Sequence, residues 1–356
     1  MASHRRRRTS TEVVERFQTV IPDVDRIEEV LGDDPGQSLE DAAQAAAPRG
    51  RPGAEDTDAD ARQEAFARTG EAARSAVEKI RRDGTEAQLT PFERDGAEAI
   101  VELFGRPAIL VQDGRFLPPP HPWEKLEEQR EAIETTLRSV CRVEVDGHPA
   151  LDWVGSGFLV AGDVVITNRH VAKEFARQGA DGAWVFEPEM AVRVDFSEEF
   201  GGGQAREFQI TELIGVSDAF DMAFLRVAKT GDAGELPPSL PLAPASVVQQ
   251  GREVYVVGYP ASDSRRNDPE EQRRIFSNIF DVKRLQPGQI SGVEPPSLFM
   301  HDCSTLGGNS GSCVVDLETH AIVGLHFSGR FLVANKGIAL ARCDDPLIKQ
   351  AGLEFA

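Results

Sequence analysis

Three short blocks of this 356-residue sequence hold the side chains that acyl transfer requires. Ser310 lies in Gly307-Gly308-Asn309-Ser310-Gly311-Ser312, His170 in Thr167-Asn168-Arg169-His170-Val171, and Asp221 opens Asp221-Met222-Ala223-Phe224-Leu225. A serine hydroxyl attacks a carbonyl only when a base takes its proton, a third group fixes the tautomer of that base, and N–H donors meet the developing oxyanion. Glycines ahead of Ser310 let the N–H groups of Gly308 and Ser310 point at one spot, and the oxyanion hole is assigned to Gly308, Asn309 and Ser310. His170 follows a hydrophobic run, which delivers its imidazole to the edge of a cleft. Asp218 competes for the third role, and Asp221 is preferred because it adjoins an apolar run directly while Asp218 belongs to the preceding turn. Taken singly, each has a bland reading, as a glycine-rich loop, an exposed histidine or a surface acid. Their order along the chain, each beside a strand, is what joins them.

The elements that must position these residues begin at about Val140. From there the sequence consists of short apolar runs bounded by glycine, proline and aspartate, the texture of an all-β barrel protein. Strands are expected over 140–145, 154–160, 164–167, 191–196, 207–214, 222–227, 253–258, 298–301, 313–316 and 322–327, with a last helix over 345–351. Ten to twelve strands with few helices between them predict a mainly β protein. Two packed six-stranded antiparallel barrels fit better than a parallel α/β sheet. The barrels, 140–356, are preceded by a helical and partly disordered N-terminal extension. Residues 1–62 read as an amphipathic helix interrupted at Pro22, then a linker over 32–62 that is poor in large apolar side chains. Residues 63–139 read as a helical regulatory or partner-binding extension. In it Thr90-Pro91-Phe92-Glu93 is a helix start, Ala108 to Val111 with Asp113-Gly114 a strand entering a tight turn, and Trp123 to Ser139 a helix.

The segment from about Val140 to Leu347 resembles the trypsin-like, chymotrypsin-fold serine peptidases. The resemblance is carried by Gly155-Ser156-Gly157-Phe158, the Thr167 to Val171 block, Asp221 to Leu225, and the Gly307 to Ser312 block. It implies the chymotrypsin-like double barrel, and it implies that His170, Asp221 and Ser310 are the catalytic residues. Within that family the sequence is similar to the bacterial glutamyl endopeptidase branch through Ser304-Thr305-Leu306 and Val323-Gly324-Leu325-His326. There a threonine and a histidine receive an acidic side chain, which implies the same substrate-binding role for Thr305 and His326. Two features depart from the branch: it uses a mature N-terminal amine in the pocket, whereas about 140 residues precede the barrels here, and the spacing from serine to histidine is longer. Asp302, if turned inward, would instead favour basic substrates.

Composition narrows the function classes. Thirty-nine Lys and Arg against 59 Asp and Glu give a formal net charge of −20, which argues against nucleic acid as a partner. The basic block Arg5 to Arg8 reads as a solvated tail, because Glu12, Glu15, Arg16 and Gln18 interrupt the apolar stretch that an export signal needs. No apolar run is long enough to cross a bilayer. The expected setting is cytoplasmic, away from membranes, with Cys141, Cys303, Cys313 and Cys343 as reduced thiols. The spacing of His301, Cys303, Cys313 and His326 matches no compact zinc motif, and the chemistry requires no cofactor or metal. The charged stretch Asp263 to Arg274 reads as a solvated loop near the cleft. The function expected is a serine endopeptidase acting on proteins or peptides, with a regulatory protein partner reached through the N-terminal region. A non-catalytic adaptor on the same fold and a small-ester hydrolase are the alternatives, the second weakened by the absence of a Gly-x-Ser-x-Gly setting around Ser310.

Overall fold

Apolar side chains at three- and four-residue steps bury one stripe of a helix, and two such stripes open the chain. In the structure, a computed structural model describing residues 9–20, 59–103, 106–120, 123–231, 234–262, 275–330 and 334–356, helix α1 spans Ser10–Val20 and buries Val13, Val14 and Phe17. Helix α2, Ala59–Asp83, buries Ala73, Ala76, Val77 and Ile80. It begins inside the stretch expected to be linker. The rest of that linker, the Arg5 to Arg8 block and the loop from Asp263 to Arg274 lie outside the described residues. Helix α3, Pro91–Leu103, starts at the expected cap: Thr90 N–H donates to Glu93 Oε2 at 2.8 Å, and Glu93 N–H to Thr90 Oγ1 at 3.2 Å. A Cβ at Gly96 would collide with the backbone of Ala73, so a glycine is what lets α2 and α3 approach this closely.

The chain divides into two compact units, 1–105 with 119–128, and 106–118 with 129–356. The barrels therefore share their unit with a short arm that comes well before Val140. Strands β1 (Ile109–Gln112) and β2 (Arg115–Phe116) form a hairpin whose turn places Asp113 at φ 52° and Gly114 at φ 74°, as the Asp-Gly pair predicts. The helix expected over 123–139 is two pieces. A tight 3₁₀ stretch over Glu124–Gln129 precedes α4, Arg130–Leu137, and the break falls at Gln129, whose φ of −106° is not helical. Thr136 on α4 meets Tyr255 of the second barrel at 3.0 Å between hydroxyls.

The first barrel is built from β3 (Val140–Asp146), β4 (Trp153–Val160) and β5 (Val164–Thr167), followed by helix α5 (Arg169–Ala172). A side hairpin of β6 (Ala176–Gln178) and β7 (Trp184–Phe186) intervenes before β8 (Ala191–Asp195), β9 (Glu207–Val216) and β10 (Ala223–Val227). Its six strands close in the order β10-β5-β4-β3-β8-β9 around Val143, Leu159, Val165, Phe175, Val194 and Leu225. After the small hairpin β11 (Thr230–Gly231) and β12 (Gly234–Glu235) come β13 (Glu253–Gly258), β14 (Arg284–Glu294), β15 (Leu298–His301), β16 (Cys313–Asp316), β17 (Ile322–Arg330) and β18 (Ala334–Ala339). These six close as β13-β16-β17-β18-β15-β14 through the β13–β14 pairing, with Val254, Val256, Ile290, Phe299 and Val314 inside. Strand β1 adds to the outside of β14, and helix α6 (Pro346–Gln350) follows β18. Two six-stranded antiparallel barrels are thus the observed fold.

Strands β14 and β18 were not expected. Polar residues conceal β14, because Arg284 and Gln286 are buried on it and Pro287 stands in its interior opposite Tyr255. The two terminal nitrogens of Arg284 donate to three carbonyls, of Ala108 (2.7 Å), Phe276 (2.8 Å) and Ile279 (2.6 Å), while its Nε has no partner among the described residues. A period-two apolar pattern cannot register a strand whose buried charged side chain is held by carbonyls outside the strand. All four cysteines are unbridged, Cys303 and Cys313 included.

Candidate active site

The register of one strand pair brings two of the predicted residues together. In the antiparallel β10–β5 pair Ala223 lies opposite Thr167, so the residues just before Ala223 and just after Thr167 emerge at the same end of the barrel. Asp221 takes hold of His170 there at two points. Its Oδ1 accepts from His170 N–H at 2.9 Å and its Oδ2 lies 2.6 Å from Nδ1. Asn168 Nδ2 donates to Asp221 O at 2.8 Å and fixes the backbone of the acid. Burial works to raise the pKa of Asp221, yet the hydrogen bonds and charge of His170, together with Arg169, leave it below the usual carboxylate range. An ionised Asp221 keeps the proton on Nδ1 and leaves Nε2 as the free lone pair. Asp218 takes no part: its carbonyl accepts from Arg169 Nη1 at 2.9 Å.

Ser310 sits on the turn between β15 and β16, in the second barrel, and the first barrel carries that turn. Ser156 on β4 donates its N–H to Ser310 O (2.8 Å) and its hydroxyl to Gly308 O (2.8 Å), and accepts Tyr259 N–H (3.1 Å). A Cβ on Gly155 would meet both Val171, the neighbour of His170, and Ser310 O. The serine and histidine segments therefore converge on one glycine. Gly308 has φ +84°, and a side chain there would strike Tyr259 O and the Trp153 ring. Among the described residues the N–H groups of Gly308 and Ser310 donate to no protein acceptor, whereas Asn309 N–H donates to Leu306 O at 3.3 Å. Asn309 is buried and its Oδ1 accepts from Ser312 Oγ at 3.2 Å. Its amide shapes the turn, and the two free donors are those of Gly308 and Ser310.

Thr305 and His326 fall into one buried cluster with two residues not foreseen. Thr305 Oγ1 donates to Asn335 Oδ1 at 2.7 Å, and Asn335 Nδ2 to Cys303 O at 2.6 Å. His326 Nδ1 and His301 Nε2 share a hydrogen bond of 3.1 Å, and Asn335 on β18 pairs with His301 on β15. Burial pushes the His326 imidazole down to about 3, with the neighbouring His170 adding to the effect, and burial likewise holds His301 well below the ordinary imidazole value. Both rings are neutral at physiological pH. The imagined zinc grouping is not assembled, since Cys313 Sγ faces Val257 O at 3.9 Å from β16. Among the described residues one three-acid cluster has its oxygens close enough to hold a cation, Glu144, Asp195 and Glu207, and Arg193 already occupies it through Glu144 (2.8 Å) and Glu207 (3.1 Å). Asp302 pairs with Arg106 at 2.5 Å and accepts Gln289 N–H at 2.7 Å. The sequence places Ser156 only within a block and His301 only in a metal grouping, and it gives no role to Asn335 or Arg106. Only Ser156 left a signal, the two glycines that flank it.

Two closed six-stranded barrels, with the serine turn of the second held on a strand of the first, define the chymotrypsin class of fold. Residues 155–325 match the trypsin-like peptidase domain family. A probable serine protease of Lysobacter enzymogenes is 27% identical over 291 residues, 71% of this chain and 75% of that protein. The glutamyl endopeptidase of Staphylococcus aureus is 25% identical over 181 residues, 51% of this chain and 48% of that protein, so the chain spans about half the length of that relative. Among solved structures, the active form of a Mycobacterium tuberculosis protease covers 63% of this chain and 86% of its own, at 17% identity and a TM-score of 0.43.

Proposed function

We propose that this chain is a serine endopeptidase working through an acyl-enzyme, with Ser310 as nucleophile, His170 as general base and Asp221 as its orienting acid. The observation that carries the reading is the two-point hold of Asp221 on His170. It fixes both the tautomer and the plane of the ring, so that Nε2 is presented to take the Ser310 proton and later to return it to the leaving amine. No hydrogen bond joins Ser310 Oγ to the ring among the described residues, and such contacts commonly tighten only around substrate. The carbonyl oxygen of the scissile bond, as it gains charge, lies between the N–H groups of Gly308 and Ser310.

For selectivity the reading is cleavage after acidic residues. In the tautomer in which His326 Nδ1 accepts from His301, Nε2–H is the donor left to a substrate, and the Thr305 hydroxyl is held beside the same cluster. A neutral imidazole N–H suits a substrate carboxylate without leaving a buried charge when the pocket is empty, and Thr305, its proton committed to Asn335, shapes the wall beside it. The helices of residues 1–105 are assigned a restraining role on the activity, exerted with a protein partner. Fluorophosphonate labelling of the purified chain, abolished in Ser310→Ala, is the expected result; absence of labelling under every condition would sink the peptidase reading. A peptide library scored by the residue before the cut is expected to favour glutamate over aspartate, lysine and apolar residues, and a preference for lysine would overturn the pocket assignment. Deleting residues 1–58 is expected to raise the cleavage rate if the restraint is correct, and an unchanged rate removes it.

A further inference from the structure

The pocket wall that runs into the serine turn is gripped along one side by the arm that precedes the barrels. Arg106 Nη2 pairs with Asp302 Oδ2 at 2.5 Å, with both side chains mostly buried, at 13% and 16% exposure. From the other direction, Ser304 Oγ donates to the carbonyl of Arg106 at 2.6 Å. Ala108 packs in a small apolar cluster with Leu306 and Phe276, and Ile109 and Leu110 pair with Leu285 and Arg284 on β14. The even-numbered residues 302, 304 and 306 thus face the arm. The odd-numbered ones face the barrel, where Cys303 lies in the core and Thr305 bonds Asn335. This is the period-two alternation of an extended segment clamped on both sides. The far end of the arm is anchored on the first barrel, where Gly114 N–H donates to Glu199 Oε2 at 2.7 Å and Phe200 N–H to Val111 O at 2.9 Å.

We infer that Arg106 and its arm, residues 106–116, position the substrate pocket and the oxyanion turn by bracing residues 302–306 against the second barrel. Gly307 follows the braced segment directly, so a shift of Leu306 carries into the N–H groups of Gly308 and Ser310. The arm lies outside the matched family residues 155–325. Arg106 touches no reacting atom and is a positioning residue. Its charge also neutralises Asp302, which disposes of the alternative that Asp302 selects basic substrates.

The inference rests on the peptidase reading above, and its test separates the two. In the full-length protein, Arg106→Met is expected to raise KM for a glutamyl peptide and to lower kcat/KM about 10- to 100-fold, the range that misplacement by about 1 Å produces. Labelling of Ser310 by a small fluorophosphonate, which uses the oxyanion turn but does not fill the pocket, is expected to slow by less than peptide cleavage does. Ser304→Ala is expected to move the same quantities in the same direction by less, and the charge-swapped pair Arg106→Asp with Asp302→Arg to recover part of the loss. Hydrogen exchange reads the brace without turnover, and faster exchange confined to 302–311 in Arg106→Met is expected. Such local loosening in a protein that never labels or cleaves would keep the brace and remove the peptidase reading. Unchanged exchange and unchanged kcat/KM in Arg106→Met would overturn the brace. So would a parallel loss of labelling, cleavage and melting temperature, or a charge swap no better than the single variants.

Discussion

Gly308 is the position where a single Cβ would disturb the proposed oxyanion site. With φ at +84° and Tyr259 O and the Trp153 ring against it, Gly308→Ala must rotate the peptide that carries one of the two free N–H donors. A fall in kcat of about 10²- to 10³-fold is expected, the usual effect of losing one oxyanion donor, with little change in KM; steady-state kinetics on a peptide ester will read it. His326 gives a second prediction. Unfolded, an imidazole binds its proton near pH 6.5, while burial pushes the folded His326 down to about 3. Between those values the unfolded chain holds more protons, so stability is level above pH ~6.5 and falls as pH is lowered toward ~3. His326→Gln is expected to flatten that acid-side slope, measured from urea midpoints between pH 4 and pH 8. An unchanged slope would mean the imidazole is solvated in the native protein.

At the scale of elements, the start of α3 is held by few groups. Glu93 closes the cap with Thr90 and bonds Lys79 at 2.8 Å and Ser75 at 2.7 Å. Burial works to raise its carboxyl, but Lys79, Thr90 and Ser75 together bring it down to about 2. Glu93→Ala removes all of these at once, and a loss of about 1–2 kcal/mol is expected for a cap of this kind, seen as an earlier denaturation midpoint with helix signal as the probe. That cap was legible because Thr-Pro-Phe-Glu brings every group it needs within three residues. The strands over 164–167, 253–258, 298–301 and 313–316 were legible for the same reason, as were the Asp-Gly hairpin and the glycine turn around Ser310. Strand β14 was not, since its buried Arg284 gives its hydrogen bonds to carbonyls of Ala108, Phe276 and Ile279. Nothing near Arg284 in sequence announces all three.

Across the whole barrel unit, the two barrels and the arm meet at one buried ion pair. Lys283, fully buried ahead of β14, lies 3.1 Å from Glu199 of the loop after β8 and donates to Phe196 O at 2.6 Å. Burial lowers the affinity of Lys283 for its proton, and Glu199 opposes the shift. Glu199→Gln leaves an ammonium without its counter-charge and is expected to cost about 3–5 kcal/mol. The double variant Lys283→Met with Glu199→Leu, which removes both charges, is expected to cost far less, and denaturant midpoints of the two proteins decide it. Equal losses would place the effect in packing.

Neighbouring residues alone account for the apolar runs, the glycines around Ser310 and the cap at Thr90. These depend on residues a few positions apart, where period and turn chemistry act. Tertiary structure alone decided that both oxygens of Asp221 hold His170, that Asn309 N–H is bonded within its own turn, and that His301 backs His326. It also decided that Arg106 reaches Asp302 across 196 positions. A buried polar group takes the partner that barrel closure brings within 3 Å, and closure is set by the packing of every strand at once.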